Sequence, residues 1–360
     1  MTTAEENMNK NIRMDSHKLL YHPERVSDFI SGKLIYPIEM EIGISGACNH
    51  RCIFCAVDYM EYQPRMIDAD ILIKNLRILG KKGLKSIIYA GEGEPLVHPD
   101  AVRIINETKN CGIDVAVSTN GVLFTEDKLN DCLKSLTWVR YSIAGATEDT
   151  YKKIHQCGNG DFNKAVSNME RAVKVKKNQN LSVTLGAQLL LLPENKNEVV
   201  TLAKLVRDIG FDYFTVKPFS QHPQSKAKLL VDYSESEEIR KAVEEYETDS
   251  FKIYFRSKSI ENLGVEKSYH ECYGLNFMTY MDSAGDLFPC IVFMGNDEYK
   301  YGNIYEEEVD RIWESDKSQE IRKKFKGKFL RDCCRKNCRL DEINKYLERI
   351  VYPNEHVNFI

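Results

Sequence analysis

Six short apolar runs, each followed by a longer amphipathic stretch, limit what this chain can fold into. The runs cover 38–45, 86–90, 114–118, 138–143, 182–191 and 213–217. Between them, apolar residues recur at helical spacing over 68–80, 99–110, 125–136, 163–177 and 197–209. Strands that alternate with helices pair in parallel, because each return needs a connection long enough to hold a helix. Right-handed crossovers then curl the sheet. The expectation is an α/β fold built on a partial (β/α)6 TIM-like barrel over 37–235. Past residue 220 the pattern changes. A loop is read over 225–236 and a charged helix over 236–247. A hairpin turning at Ser283-Ala284-Gly285 is read between 277–282 and 286–290. This predicts a small C-terminal α+β domain over 250–345, with 1–36 an N-terminal extension and 346–360 a tail.

In such a barrel, functional groups collect at the C-terminal ends of the strands. Cys48, Glu94 and Asn120 follow strands one, two and three, Ser142 lies in strand four, and Lys217 ends strand six. All are expected at one mouth. The formal net charge of −4 supplies no global basic field, so nucleic acid is not an expected partner. The first 18 residues are polar and read as neither signal peptide nor membrane anchor. A cytoplasmic protein without a membrane partner is therefore expected.

The chain holds eleven cysteines, in one group near residue 50 and another between 272 and 338. In a reducing compartment, grouped thiolates indicate metal or iron–sulfur ligation rather than disulfides. Cys48, Cys52 and Cys55 form a C-x3-C-x2-C pattern, with Gly46 and Asn49-His50-Arg51 suited to a loop. A closed cluster or zinc site takes four ligands, so three thiolates leave one iron open. The bland alternatives are a Cys3His zinc site using His50, or a non-catalytic iron–sulfur or zinc scaffold.

This pattern, with aromatic Phe54 before the last cysteine, resembles that of the radical S-adenosylmethionine (radical SAM) enzymes. The resemblance implies a [4Fe–4S] cluster whose open iron binds S-adenosylmethionine. Reduction then yields a 5′-deoxyadenosyl radical that abstracts a hydrogen atom. It also implies an electron donor of flavodoxin or ferredoxin type. Gly91-Glu92-Gly93-Glu94-Pro95 resembles the family's GGEP motif, with Glu92 in place of a glycine. Ser118-Thr119-Asn120-Gly121 resembles its TNG motif, and Ser142 falls in a segment similar to SxDG, with Ala144 in place of the acid. Gln188 and Asn195 occupy positions seen in relatives. The implied cofactor-binding residues are Phe54, Gly91, Glu92, Gly93, Glu94, Asn120, Ser142, Gln188 and Asn195. This resemblance covers roughly 37–220.

Cys272 and Cys290, followed by Cys333, Cys334 and Cys338, resemble the auxiliary-cluster domain called SPASM, in its shortened twitch form. That form implies one extra [4Fe–4S] cluster on Cys272, Cys290, Cys338 and either Cys333 or Cys334. A zinc site on the same residues is the competing reading. Lysines and arginines between Arg322 and Arg339 would offset cluster charge, hold an anionic substrate, or simply face solvent.

Cys111 and Cys132 read as packing residues. Cys157 and the spare member of the Cys333–Cys334 pair are candidate hydrogen-atom donors, and Lys217 a candidate anion ligand or base. His222 and Arg140 are weaker candidates. The layout implies oxidation or epimerisation of a small polar substrate, neutral or anionic: a sugar, aminocyclitol or nucleotide sugar. The alternative is a maturase that crosslinks or epimerises a ribosomally made peptide.

Overall fold

The computed structural model describes residues 17–359. Its centre is a ten-stranded sheet in the order β10-β9-β8-β1-β2-β3-β4-β5-β6-β7. The strands are β1 (Glu39–Ile42), β2 (Ser86–Tyr89), β3 (Asp114–Thr119), β4 (Trp138–Ser142), β5 (Thr184–Leu191), β6 (Tyr213–Pro218), β7 (Lys252–Phe255), β8 (Met278–Met281), β9 (Asp286–Phe288) and β10 (Gly302–Asn303). β1 to β7 pair in parallel, each with the next. β7 and β10 lie at the two ends of the order, so the sheet is not a closed barrel.

Two features depart from the expected plan. β7 adds a seventh parallel strand, too short in sequence to stand out beside the charged helix before it. The C-terminal region also continues the same sheet rather than standing apart. β8 pairs in parallel with β1, Glu39 opposite Met278, and turns at Gly285 (φ +80°) into antiparallel β9.

Side chains alternate across each strand. One face carries Met40, Ile42, Ile87, Val115, Val139, Leu185 and Phe214, all completely buried. Each such aliphatic or aromatic side chain contributes about 1.5–3 kcal/mol on leaving water. Helix α1 (Pro23–Ile30) packs in a separate cluster, and the cover of this face includes the helices α2 (Ala69–Lys81), α3 (Ala101–Asn110), α4 (Glu126–Cys132), α5 (Glu148–His155), α6 (Asp161–Asn178), α7 (Val199–Ile209) and α8 (Ser236–Glu244). The helix α5 was not expected, although its signals are present. Thr147 caps it by accepting from Thr150 N–H, acids fill its first turn and Lys152, Lys153 and His155 its last.

The remaining helices are α9 (Ser257–Glu261), α10 (Val309–Glu314), α11 (Asp316–Lys323), α12 (Gly327–Cys333) and α13 (Asp341–Val351). α13 runs across 345/346, so a tail beginning there would cut a helix. Its Leu347 is completely buried against Leu19, Val26 and Ile35, and this contact stitches the described part of the N-terminal extension to the C-terminal helix. Residues 1–16 of that extension lie outside the described residues.

Candidate active site and cluster loops

The loop after β1 is held backbone to backbone. Gly46 N–H donates to Arg65 O at 2.8 Å, and Glu94 N–H donates to Ala47 O at 2.9 Å. Gly93 sits at φ +65°, and a Cβ there would lie 2.2 Å from Ser45 O and 2.4 Å from Ala47 O. The β2 loop therefore seats directly on the cysteine loop, and only glycine fits.

Each cysteine sulfur in that loop has a polar neighbour. Cys48 Sγ accepts from His50 N–H at 3.4 Å. Cys52 Sγ lies 3.2 Å from His155 Nδ1. Cys55 Sγ is hydrogen-bonded by the Tyr62 hydroxyl. Burial pushes all three thiols up, Cys48 to about 12 with Glu94 as the next cause. Thiolates here need an added positive charge, which iron supplies. Among the described residues, the three sulfurs do not all lie within 4.8 Å of one another, as ligands of one ion would. Among the described residues, His50 comes within that distance of Cys52 together with His155, not together with Cys48 and Cys55, so the arrangement is not that of a Cys3His zinc site. The donor set fits a cluster held at three irons, with Cys48, Cys52 and Cys55 as its ligands.

The motif residues divide into two kinds. Glu94 is buried and fully engaged. It accepts from Thr119 Oγ1 at 2.6 Å, Asn120 N–H at 2.8 Å and Leu96 N–H at 3.1 Å. Asn120 Nδ2 donates to Asn49 Oδ1 at 2.7 Å, tying β3 to the cysteine loop. Glu92 was expected at the cofactor, yet its carboxylate accepts from Ser283 N–H (3.0 Å), Ser283 Oγ (2.7 Å) and Arg65 Nη2 (2.7 Å). Gly91, at φ +90°, lies against the ring of Tyr280 in β8. Asn195 is completely buried and bonded to Ala144 O, Leu190 O and Leu192 N–H. These side chains fasten loops and have no polar atom left for a ligand in the case of Asn195. Phe54 packs edge-on to His155, centroids 5.6 Å apart. Ser142 and Gln188 are different. They are register partners on β4 and β5, half-buried, on the face opposite the apolar core.

That second face of the sheet is polar. It carries Glu39 and Glu41, Ser118, Arg140, Thr215 and Lys217. Arg140 donates to Ser118 Oγ at 3.2 Å. Arg339 reaches in from the C-terminal region to Glu41 at 2.5 Å and Glu39 at 3.6 Å. Burial lowers the Lys217 ammonium to about 7, helped by the guanidiniums of Arg140, Arg335, Arg339 and Arg256 in that order. His222 is not part of this face. It is buried, stacked on Tyr59 at 5.3 Å, and accepts from Gln224 N–H.

The second cysteine group closes on one cavity, lined by Cys272, Cys290, Cys334 and Cys338. Of the two cysteines left open by spacing, Cys334 lines this cavity, while Cys333 is near enough to Tyr299 to raise its hydroxyl. Asn344 Nδ2 and Leu340 N–H donate to Cys272 and Cys338, each at 3.4 Å. A mutual hydrogen bond and then burial push Cys334 up, and the same bond holds Cys338 down. No three of these thiols lie mutually within 4.8 Å among the described residues, so they too suit a cluster rather than a single zinc ion.

Of the remaining thiols, Cys132 is completely buried in the core and Cys111 caps α3. Cys157 lies with His50 and Asp161, their ligand atoms within 4.8 Å, beside the cysteine loop. Burial and then Asp161 raise its thiol to about 11. The sequence reading missed His155, because nothing in a helix-terminal histidine signals that its ring meets a thiol 103 residues earlier.

Residues 42–206 match the radical SAM superfamily, and residues 272–339 match the iron–sulfur cluster-binding domain SPASM. The chain is 24% identical over 291 residues to the tungsten-containing aldehyde ferredoxin oxidoreductase cofactor-modifying protein of Pyrococcus furiosus, covering 76% of this chain and 80% of that one. It is 25% identical over 224 residues to a probable GTP 3′,8-cyclase of Saccharolobus solfataricus, covering 62% and 69%. Among solved structures it resembles Streptococcus suis SuiB bound to the precursor peptide SuiA, with a TM-score of 0.64, 18% identity, and 88% and 76% of the two chains covered. Three thiols in one loop, four thiols around a second cavity and these matches converge: the chain carries a radical SAM domain over 42–206 and a C-terminal SPASM domain over 272–339, the domains that take S-adenosylmethionine and [4Fe–4S] clusters as cofactors.

Proposed function

We propose that this enzyme oxidises an anionic small molecule, of the sugar-phosphate or nucleotide-sugar class, held on the polar face of the sheet. The observation that carries this is the excess of cations around Lys217: Arg140, Arg335 and Arg339, against the carboxylates of Glu39 and Glu41 that pair with Arg339. Like charges brought together and buried are costly, and an anion relieves that cost. The name of the probable GTP cyclase supports an anionic substrate for a relative of this chain.

When bound, S-adenosylmethionine and its cluster supply one-electron cleavage and a carbon radical that takes a hydrogen atom. The chain's own residues do the rest. Ser142 and Gln188 offer hydroxyl and amide groups on the open face beside the cysteine loop. Lys217 and Arg140 orient the anion. Oxidation is favoured over epimerisation because neither spare thiol is carried by the strands of the polar face. Cys157 sits with His50 and Asp161, and Cys333 with Tyr299. A second reading, a peptide maturase, draws on SuiB and its bound precursor peptide.

The test is anaerobic incubation of the reconstituted protein with S-adenosylmethionine, dithionite and either anionic sugars or short peptides. Anionic sugars should stimulate 5′-deoxyadenosine formation and be recovered two electrons oxidised, without solvent deuterium. Stimulation by peptides alone would overturn the substrate class, and solvent deuterium in the product would replace oxidation with epimerisation. No helix among the described residues is long and apolar enough to cross a membrane. We place the enzyme in the cytoplasm, served by a flavodoxin or ferredoxin.

A further inference from the structure

We infer that His155 donates a hydrogen bond to the cluster ligand Cys52 and thereby raises the reduction potential of the S-adenosylmethionine-binding cluster. The deduction starts from the other side of the ring. His155 Nε2 lies 3.0 Å from Ala144 N, a backbone group that can only donate. Nε2 must therefore be the unprotonated acceptor. A neutral imidazole has one proton, so it resides on Nδ1. Nδ1 is 3.2 Å from Cys52 Sγ, within reach for an N–H···S hydrogen bond. The tautomer is thus dictated by a backbone amide, and the bond runs from histidine to sulfur.

The ring has little freedom to turn. It is 1% exposed, stacked on Tyr151 with centroids 4.1 Å apart at 28°, and meets the edge of Phe54 at 5.6 Å. The backbone fixes its distance from the cysteine loop as well. Arg51 N–H donates to His155 O at 3.0 Å, and Ile53 N–H donates to Ile154 O at 2.9 Å. Both donors flank Cys52. Helix α5 is therefore sewn to the cluster loop at the point where its last side chain meets the ligand.

Reduction of an iron–sulfur cluster adds negative charge that the thiolate sulfurs share. An N–H aimed at one of them stabilises the reduced form more than the oxidised form. His155 is a positioning residue in this role. It acts on the cluster through Cys52 and leaves substrate to other groups.

The experiment is a redox titration of the reconstituted holoenzyme followed by EPR. The signal that changes on adding S-adenosylmethionine identifies the first cluster. His155→Phe keeps a flat ring and removes the donor. It should shift the reduction equilibrium roughly tenfold toward the oxidised cluster, about 59 mV for one electron. His155→Gln, which retains a side-chain N–H, should fall between. A His155→Phe protein with a full first cluster and the wild-type potential would overturn the assignment. Should that variant take up no first cluster, protein labelled with 15N-histidine decides. Pulsed EPR of the reduced cluster should show a histidine-nitrogen coupling that His155→Gln lacks. Its absence from the wild type, or its survival in the variant, overturns the assignment equally.

Discussion

Lys217, at the end of β6, and Asn195, in the loop after β5, make opposite predictions. Lys217 is a half-buried amine lowered from 10.5 to about 7, first by burial and then by the arginines around it. An anionic substrate favours its charged form. The kcat/KM for that substrate should fall as pH rises through about 7, and Lys217→Met should flatten this limb while raising KM roughly ten- to hundredfold, the usual worth of a charged hydrogen bond. The stability sign runs the other way. Below pH 7 both folded and unfolded chains carry the charge, and the folded one is penalised for it. Between about 7 and 10.5 only the unfolded chain holds the proton, so stability rises with pH across that window. Lys217→Met should thus raise Tm more at pH 6 than at pH 10. Asn195 has no such freedom. Its three hydrogen bonds join the chain after β4 to the end of β5. Asn195→Ala leaves two carbonyls and one N–H unmatched in a dry interior. It should cost about 3 kcal/mol, read from denaturant unfolding, with no change in cofactor affinity beyond that loss.

At the scale of elements, the cysteine loop is held by the loops around it. Gly93→Ala would drive a methyl group into Ser45 O and Ala47 O and strain a backbone at φ +65°. The first cluster should then assemble poorly while the auxiliary cluster fills normally, which iron content and S-adenosylmethionine-dependent EPR distinguish. The order of these loops was legible because each motif follows an apolar run, which already put Ser142 and Lys217 toward the same mouth as the cysteine loop. The division of labour among the motif residues was not legible. Glu92 reads as a departure from a glycine, but its carboxylate is a clamp on Ser283, 191 residues later. No local pattern encodes a partner so distant. β7 escaped for a related reason. Four residues bonded on one side to β6 draw their conformation from the sheet rather than from their own sequence.

The whole molecule is one continuous sheet that carries both clusters, and this sets the terms for their interplay. β1 leads into the cysteine loop and pairs on its other side with β8, whose Tyr280 hydroxyl accepts from Glu92 N–H at 3.0 Å. The auxiliary cavity is lined by that same Tyr280, by Glu41 of β1, and by Arg335 and Arg339 of the cation set. The four-thiol cluster therefore borders the polar face on which the substrate is proposed to lie, and is placed to receive an electron from it. Its ligands are separate from those of the first cluster. Cys290→Ala should accordingly lose about half the iron, as counted from two clusters of equal nuclearity. It should still cleave S-adenosylmethionine, because Cys48, Cys52, Cys55 and the His155–Cys52 contact are untouched. With substrate present it should form 5′-deoxyadenosine and transfer substrate deuterium to it, yet release no oxidised product. Cys48→Ala should show the converse, auxiliary iron without any cleavage. Oxidised product from Cys290→Ala at the wild-type rate would remove the auxiliary cluster from the electron path, and loss of all iron in either variant would contradict two independent sites.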